Sequence, residues 1–355
     1  MALNEAMRSH LRKTASSTVL GRSAILRELK SMHVLTEKDD ELAKEIDVIL
    51  AHIDAGNSAE GYALVLSGKS GAGKTTVLDY ALDNNPSFAP FEDEHGNEMA
   101  LCLRLKTPAS CSVKTLGKAV LRATGYDLQQ YRDEEYIWDK VVKRLKLRQT
   151  CIIVLDEFQH VLNAPSGKGY LHLSDTVKNL MQVPGWPVWL ILSGVPEIET
   201  FIERDPHKQT ARRAPVVKVG DIDDDEYGRE QIEEVLRAMA ETCRCEVAFP
   251  LEGEFMRRLM HAGLFRLGMI IQIIKNAMER CMWDDEALKP RENDEAESWY
   301  LAPRHFVEGY RRISNCAPDT NVFTAKEWWL IEREPDEDGE LVDVSPRAGK
   351  KSRKK

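Results

Sequence analysis

Lys74, Thr75, Asp156 and Glu157 are the residues whose types and positions could carry chemistry in this 355-residue chain. Gly68-Lys-Ser-Gly-Ala-Gly-Lys-Thr75 has the form G-x-x-x-x-G-K-T and directly follows the apolar run Tyr62-Ala-Leu-Val-Leu-Ser67. A helical pattern, Val77 to Leu82, comes next. In that context glycines let backbone N–H groups curl around phosphate oxygens, and the helix start adds positive potential. Gly68, Lys69, Ser70, Gly71, Ala72, Gly73, Lys74, Thr75 and the adjacent Thr76 are therefore predicted to cradle a nucleoside triphosphate, ATP, with Mg²⁺. Lys74 would reach the β- and γ-phosphates, and the Thr75 hydroxyl would bind the metal.

Cys151-Ile-Ile-Val-Leu-Asp156-Glu157 supplies the second half of such a site. Four apolar residues make a buried strand whose carboxyl end presents two acids. Asp156 is predicted to hold Mg²⁺, and Glu157 to polarise an attacking water. Val188-Trp-Leu-Ile-Leu-Ser193-Gly194 is a further strand, and Ser193 at its end is a candidate sensor of the terminal phosphate. A turn beginning at Ser193 is the plainer alternative. Arg212 or Arg213 could reach into a neighbouring subunit's site, against the alternative of a surface pair. Arg266, before a later helix, is a candidate phosphate contact or simply a helix-start residue. Gly21-Arg22 is a candidate for the adenine edge.

The elements that must position these residues alternate. Short apolar runs at 62–67, 100–105, 151–155, 188–192 and 215–219 are separated by helical stretches. Buried strands alternating with helices predict a five-stranded parallel sheet covered on both faces, an α/β core over 61–220. Before it, 1–20 reads as an arm and 21–60 as a helical segment with Ile25, Leu29, Leu42, Ile46 and Ile49 in helical period. After Gly220 the strands are expected to stop. Residues 221–285 read as a small helical lid, 286–331 as an extension with a helix near Arg304 to Ile313, and 332–355 as a disordered charged tail.

This order of parts resembles the AAA+ ATPases, and within them the TniB/TnsC group of ATP-dependent regulators of DNA transposition. Three runs carry the resemblance: Leu155-Asp-Glu-Phe-Gln-His160, Leu105-Lys-Thr-Pro-Ala-Ser110 with the following helix to Thr124-Gly125, and Ser193-Gly-Val-Pro-Glu197. It spans roughly residues 20–280 and leaves 286–355 unmatched. The resemblance implies an AAA+ P-loop NTPase fold with a helical lid, ATP hydrolysis, and assembly as a ring or filament on double-stranded DNA. It also implies that the protein links a target selector to a transposase. In that group DNA runs beside the second-strand loop and the next helix, which points to Lys106, Thr107, Lys114 and Lys118.

Two basic faces are visible without the resemblance. Lys114, Lys118 and Arg122 lie at four-residue steps on one helix face. Lys140, Lys143, Arg144, Lys146 and Arg148 surround a Val141, Val142 and Leu145 stripe. Each reads either as a solvated face or as contact with phosphate backbone. The Lys350-Lys-Ser-Arg-Lys-Lys355 end is a third candidate. Aromatics do not alternate with these charges, so base stacking is not indicated.

A net charge of −9 argues against a protein that coats nucleic acid with its whole surface. No apolar run approaches membrane-helix length, and no secretory pattern opens the chain. The seven scattered cysteines lack C-x-x-C spacing, so they read as reduced thiols of a cytoplasmic protein. Competing functions on the same core are a replication initiator or helicase loader, and a nucleotide-switched signalling NTPase without DNA binding. The first would normally carry a base-reading module after the lid, the second long repeats.

Overall fold

The computed structural model describes residues 5–56, 61–109, 111–130, 132–162, 167–200, 214–290, 296–335 and 341–343. It divides into two compact units, Leu35–Gly220 and a second made of Met1–Val34 with Asp221–Lys355.

The first unit is built on a five-stranded sheet in the order β4-β5-β6-β1-β7. Its strands are β1 (Ala63–Gly68), β4 (Cys102–Lys106), β5 (Ile152–Asp156), β6 (Trp189–Gly194) and β7 (Val216–Val219). All neighbouring pairs are parallel. Every residue of β1, β5 and β6 is buried, as central strands covered on both faces must be. β4 forms one edge and keeps Arg104 and Lys106 exposed. Two minor strands, β2 (Phe91–Glu92) and β3 (Glu98–Met99), make a hairpin before it.

Strand alternation sorts the apolar side chains into two cores. One gathers Leu64, Leu66, Ile152, Val154 and Ile191 with α3 (Glu37–Asp54) and α4 (Lys74–Asp83). The other gathers Val65, Ile153, Leu155, Leu190 and Leu192 with α5 (Val113–Ala123), α6 (Glu134–Leu147) and α8 (Gly167–Met181). A four-residue turn of helix, α7 (Gln159–Leu162), precedes α8. The expected strands and this α/β layering are thus present.

The second unit is mainly helical: α1 (Glu5–Thr14), α2 (Ser17–Ser31), α9 (Glu226–Thr242), α10 (Glu254–Ala262), α11 (Leu267–Met282) and α12 (Pro303–Ser314). One core runs through it, from Ile25 and Leu29 of α2 to Ile232, Ile273, Phe306 and Leu341.

Four expectations change here. Residues 21–60 are not one helical segment: Met32 caps α2, and a Thr36–Asp39 capping box starts α3 in the other unit. Residues 1–20 contain helix α1 as well as the start of α2. Strands do not end at Gly220, because β8 (Cys245–Val247) pairs in parallel with β9 (Trp299–Leu301). The charged tail also contributes structure. β10 (Arg333–Pro335) and β11 (Leu341–Asp343) pair antiparallel, Leu341 is buried, and Arg333 donates to Ser314 O at 2.6 Å. Acidic composition hid these short strands, since only alternate residues need be apolar when one face is covered. All seven cysteines are free thiols.

Candidate functional site

Three chain segments meet at the carboxyl ends of the central strands. β1 runs into the phosphate-loop octet, where Gly71 (φ +76°) and Gly73 (φ +105°) adopt left-handed backbone that only glycine tolerates without strain. Gly73 is also the residue before α4, so the loop's N–H groups and the helix start share one concavity. Lys74 is buried, and its ammonium donates to Lys69 O at 2.9 Å.

β5 brings in the acids. Thr75 Oγ1 donates to Asp156 Oδ2 at 3.1 Å, joining residues that lie far apart in sequence. The Glu157 amide donates to Asp156 Oδ1 at 3.0 Å, which fixes the carboxylate from its other side. Glu157 itself has φ +55°, a conformation non-glycine residues rarely adopt and one that clusters at functional positions. A hydroxyl and a carboxylate converging in this way are the oxygen donors a hard divalent cation takes, so the residues present fit Mg²⁺.

β6 supplies a third wall. Ser193 is fully buried, and its hydroxyl has no hydrogen-bond partner among the described residues. Its carbonyl accepts from Phe158 N at 2.8 Å, tying β6 to the turn after Glu157. An orphaned buried hydroxyl costs on the order of 1–3 kcal/mol, so Ser193 stands out as a donor held without a partner at a strand end.

Gln159 is a residue of this site that sequence spacing does not mark. Its amide Nε2 donates to Glu157 Oε2, and its Oε1 accepts from Val195 N at 3.4 Å. A Cβ on Gly194 would meet that Oε1 at 2.5 Å, so the glycine makes room for the bridge. The runs Leu155–His160 and Ser193–Glu197 are therefore joined through one side chain. Only that spatial meeting identifies Gln159 as a positioning residue. Gln159→Ala is expected to lower ATP turnover by roughly 10- to 100-fold through misplacement of Glu157, with nucleotide affinity unchanged. Steady-state hydrolysis and calorimetry on the same protein check this.

A second network lies under the loop. Ser67 Oγ donates to Glu199 Oε1 at 2.7 Å, and Lys218 Nζ donates to Glu199 Oε2 at 2.6 Å. The Lys218 hydrogen bond chiefly holds the Glu199 carboxyl below its ordinary range, with Ser67 adding and partial desolvation opposing. The network ties the ends of β1 and β7 beside Gly68. One turn beyond Thr75, Asp79 is raised by desolvation and then by Asp83, while Arg104 and Lys106 oppose.

Arg212 and Arg213 lie outside the described residues. Arg266 belongs to the helical unit, at the residue before α11. Arg22 is committed there too: it is buried, bonded to Glu297 at 3.4 Å, with its guanidinium 4.8 Å from the Trp283 ring centroid. That packing accounts for Arg22 without an adenine.

Lys106 pairs in register with Asp156 at the end of β4 and is exposed. Lys114 and Lys118 are half-buried on α5. Thr107 is 4% exposed, and its amide donates to Asp156 O at 2.8 Å. The second basic face is largely occupied by its own unit. Arg144 donates to Thr124 O at 2.8 Å, Lys140 lies 5.0 Å from the Tyr126 ring centroid, and Arg148 bonds Glu98 at 3.1 Å.

A family model described as an AAA domain matches residues 58–202. Among solved structures, the Aeropyrum pernix ORC2 protein in its ADPNP–ADP complexes aligns at 14% identity and a TM-score of 0.53, over 79% of this chain and 69% of that one. Its ADP form aligns at 16% identity and 0.52, over 79% and 68%. Cdc6p from Pyrobaculum aerophilum aligns at 12% and 0.48, over 76% and 65%. No curated protein sequence matches the chain. Together with the strand order and the phosphate loop after β1, the family model and the two ORC2 alignments define an AAA+ P-loop NTPase fold carrying an AAA domain. No described helix is long and apolar enough to cross a membrane.

Proposed function

We propose that this protein is an ATPase that binds and hydrolyses Mg²⁺-ATP, assembles on double-stranded DNA and regulates transposition. The observation that carries the nucleotide part is the Thr75–Asp156 contact at 3.1 Å, with Glu157 held beside it by Gln159. In this reading the N–H groups of the Gly68–Thr75 loop bind the phosphate chain, and Lys74 exchanges its bond to Lys69 O for phosphate oxygen. Thr75 and Asp156 would hold Mg²⁺, which would supply positive charge beside the transferred phosphoryl group. Glu157 takes the proton of the attacking water, and Ser193 offers its free hydroxyl to the terminal phosphate. Arg212 or Arg213 of a neighbouring copy completes the site, and Arg266 is a further candidate phosphate contact.

Support for the transposition reading is the spatial linkage of two of the sequence runs that resemble the TniB/TnsC group, through Gln159. A target selector and a transposase are the partners this implies. Duplex DNA would be held by Lys106, Lys114 and Lys118, repeated around an assembly so that weak phosphate contacts add up. The test is fluorescence anisotropy with labelled duplex at two salt concentrations, with and without a non-hydrolysable ATP analogue. Binding should require the analogue, be indifferent to sequence and fall steeply with salt. Lys114→Glu/Lys118→Glu should lose it while keeping ATP affinity. Tight binding without nucleotide, or no effect of the double variant, would overturn this assignment.

A further inference from the structure

We infer that the helical unit carries a self-complementary pair of surfaces, and that the cleft between α1 and α2 receives the start of α9 from a second copy of this chain. The cleft has a volume of about 480 Å³ and is lined by Arg8, Leu11, Arg12, Leu20 and Arg27. None of its three arginines has a carboxylate partner among the described residues, and helix α1 buries no residue at all. Leu11 is 47% exposed and Val19 40%. In a chain of net charge −9, residues 5–31 carry six basic side chains against Glu5 and Glu28. Apolar lining beneath unpaired guanidinium groups suits an acidic segment that also presents an apolar side chain. Bare phosphate backbone would leave the leucines uncovered.

A surface with the converse character lies on the same chain. Asp221, Asp223, Asp224, Asp225 and Glu226 lead into α9, and Glu230 follows one turn later. Among them Tyr227 is 69% exposed, the most exposed large apolar side chain in the described structure. Two of the acids serve their own unit, Asp225 as the α9 cap and Asp224 toward Arg229. Asp223, Glu226 and Glu230 remain exposed around Tyr227. In a second copy, Tyr227 would enter the apolar floor of the cleft while Glu226 and Glu230 meet Arg8, Arg12 and Arg27. Contact between two different patches is heterologous, and it gives a ring or an open filament unless two copies pair reciprocally.

The inference does not rest on the nucleotide site, so the experiment is run without nucleotide, and its failure leaves ATP-dependent assembly standing. Sedimentation velocity of the full chain at low salt should show mass rising with concentration, and raised salt should reverse it. Arg8→Glu/Arg12→Glu should abolish association, and so should Glu226→Arg/Glu230→Arg, with melting temperatures close to the parent's. Mixing the two proteins should restore it, because each repelling patch then meets its opposite. Tyr227→Ala, a change at an exposed position, should weaken association even if a charge-reversed protein folds poorly. A parent protein that stays monomeric, variants that associate like the parent, or a mixture that stays apart would overturn the inference. Loss of duplex DNA binding in Arg8→Glu/Arg12→Glu with association intact would reassign the cleft to nucleic acid.

Discussion

Lys74→Ala protein is expected to lose ATP affinity by at least roughly 100-fold, about 3 kcal/mol, as charge-assisted hydrogen bonds to phosphate disappear. The expectation follows from where the ammonium sits. It is buried at the start of α4 and held by a carbonyl of the same loop, so it is already oriented toward the concavity the glycines create. Truncation leaves a gap where phosphate would lie and removes a cation that the loop holds there. The fold should survive, since α4 keeps Val77, Leu78 and Leu82 in the core. Calorimetry with ATP, alongside circular dichroism, separates loss of the site from loss of structure. Affinity equal to the parent's would refute the placement of the phosphates, and with it every role built on that placement.

The sheet and the site were legible to different depths for physical reasons. Central strands buried on both faces must be continuously apolar, so β1, β5 and β6 announced themselves, and the glycine loop followed β1 directly. Asp156 and Glu157 were legible because two acids closing an apolar run have few structural reasons to be there. Gln159 was not, since its importance lies in bridging Glu157 to Val195, a relation across strands that spacing does not encode. Thr107 looked accessible beside Lys106, yet pairing of β4 with β5 draws it under the sheet end. The grouping of 1–34 with 221–355 was hidden because α2 and α3 share one apolar period, and only the capping at Met32 and Thr36 separates them. The strands β8 to β11 are three residues each, too short for a period to show.

Glu157→Gln is expected to bind ATP like the parent and to hydrolyse it at least ~100-fold more slowly, the loss expected when a positioned general base is removed. The substitution preserves volume and keeps an oxygen, but an amide cannot take a proton from water. Two features of the structure make the comparison clean. The Glu157 amide bonds Asp156, so the backbone that shapes the cation donors does not depend on this side chain. The strained φ of +55° is also a property of the turn, common to both proteins. One contact does change: Gln159 Nε2 donates to the Glu157 carboxylate, and it would meet either end of a glutamine amide. The Glu157→Gln/Gln159→Glu protein resolves that ambiguity by restoring a complementary pair without restoring a base at position 157. It should remain slow if the carboxylate of Glu157 takes the proton, whereas recovery of turnover would show that the contact alone matters. Single-turnover hydrolysis at saturating ATP measures the chemical step directly, and ATP-dependent assemblies of the Glu157→Gln protein should outlast those of the parent on DNA. Near-parental turnover in the single variant would mean that another group activates the water, and would leave Glu157 with a positioning role beside Asp156.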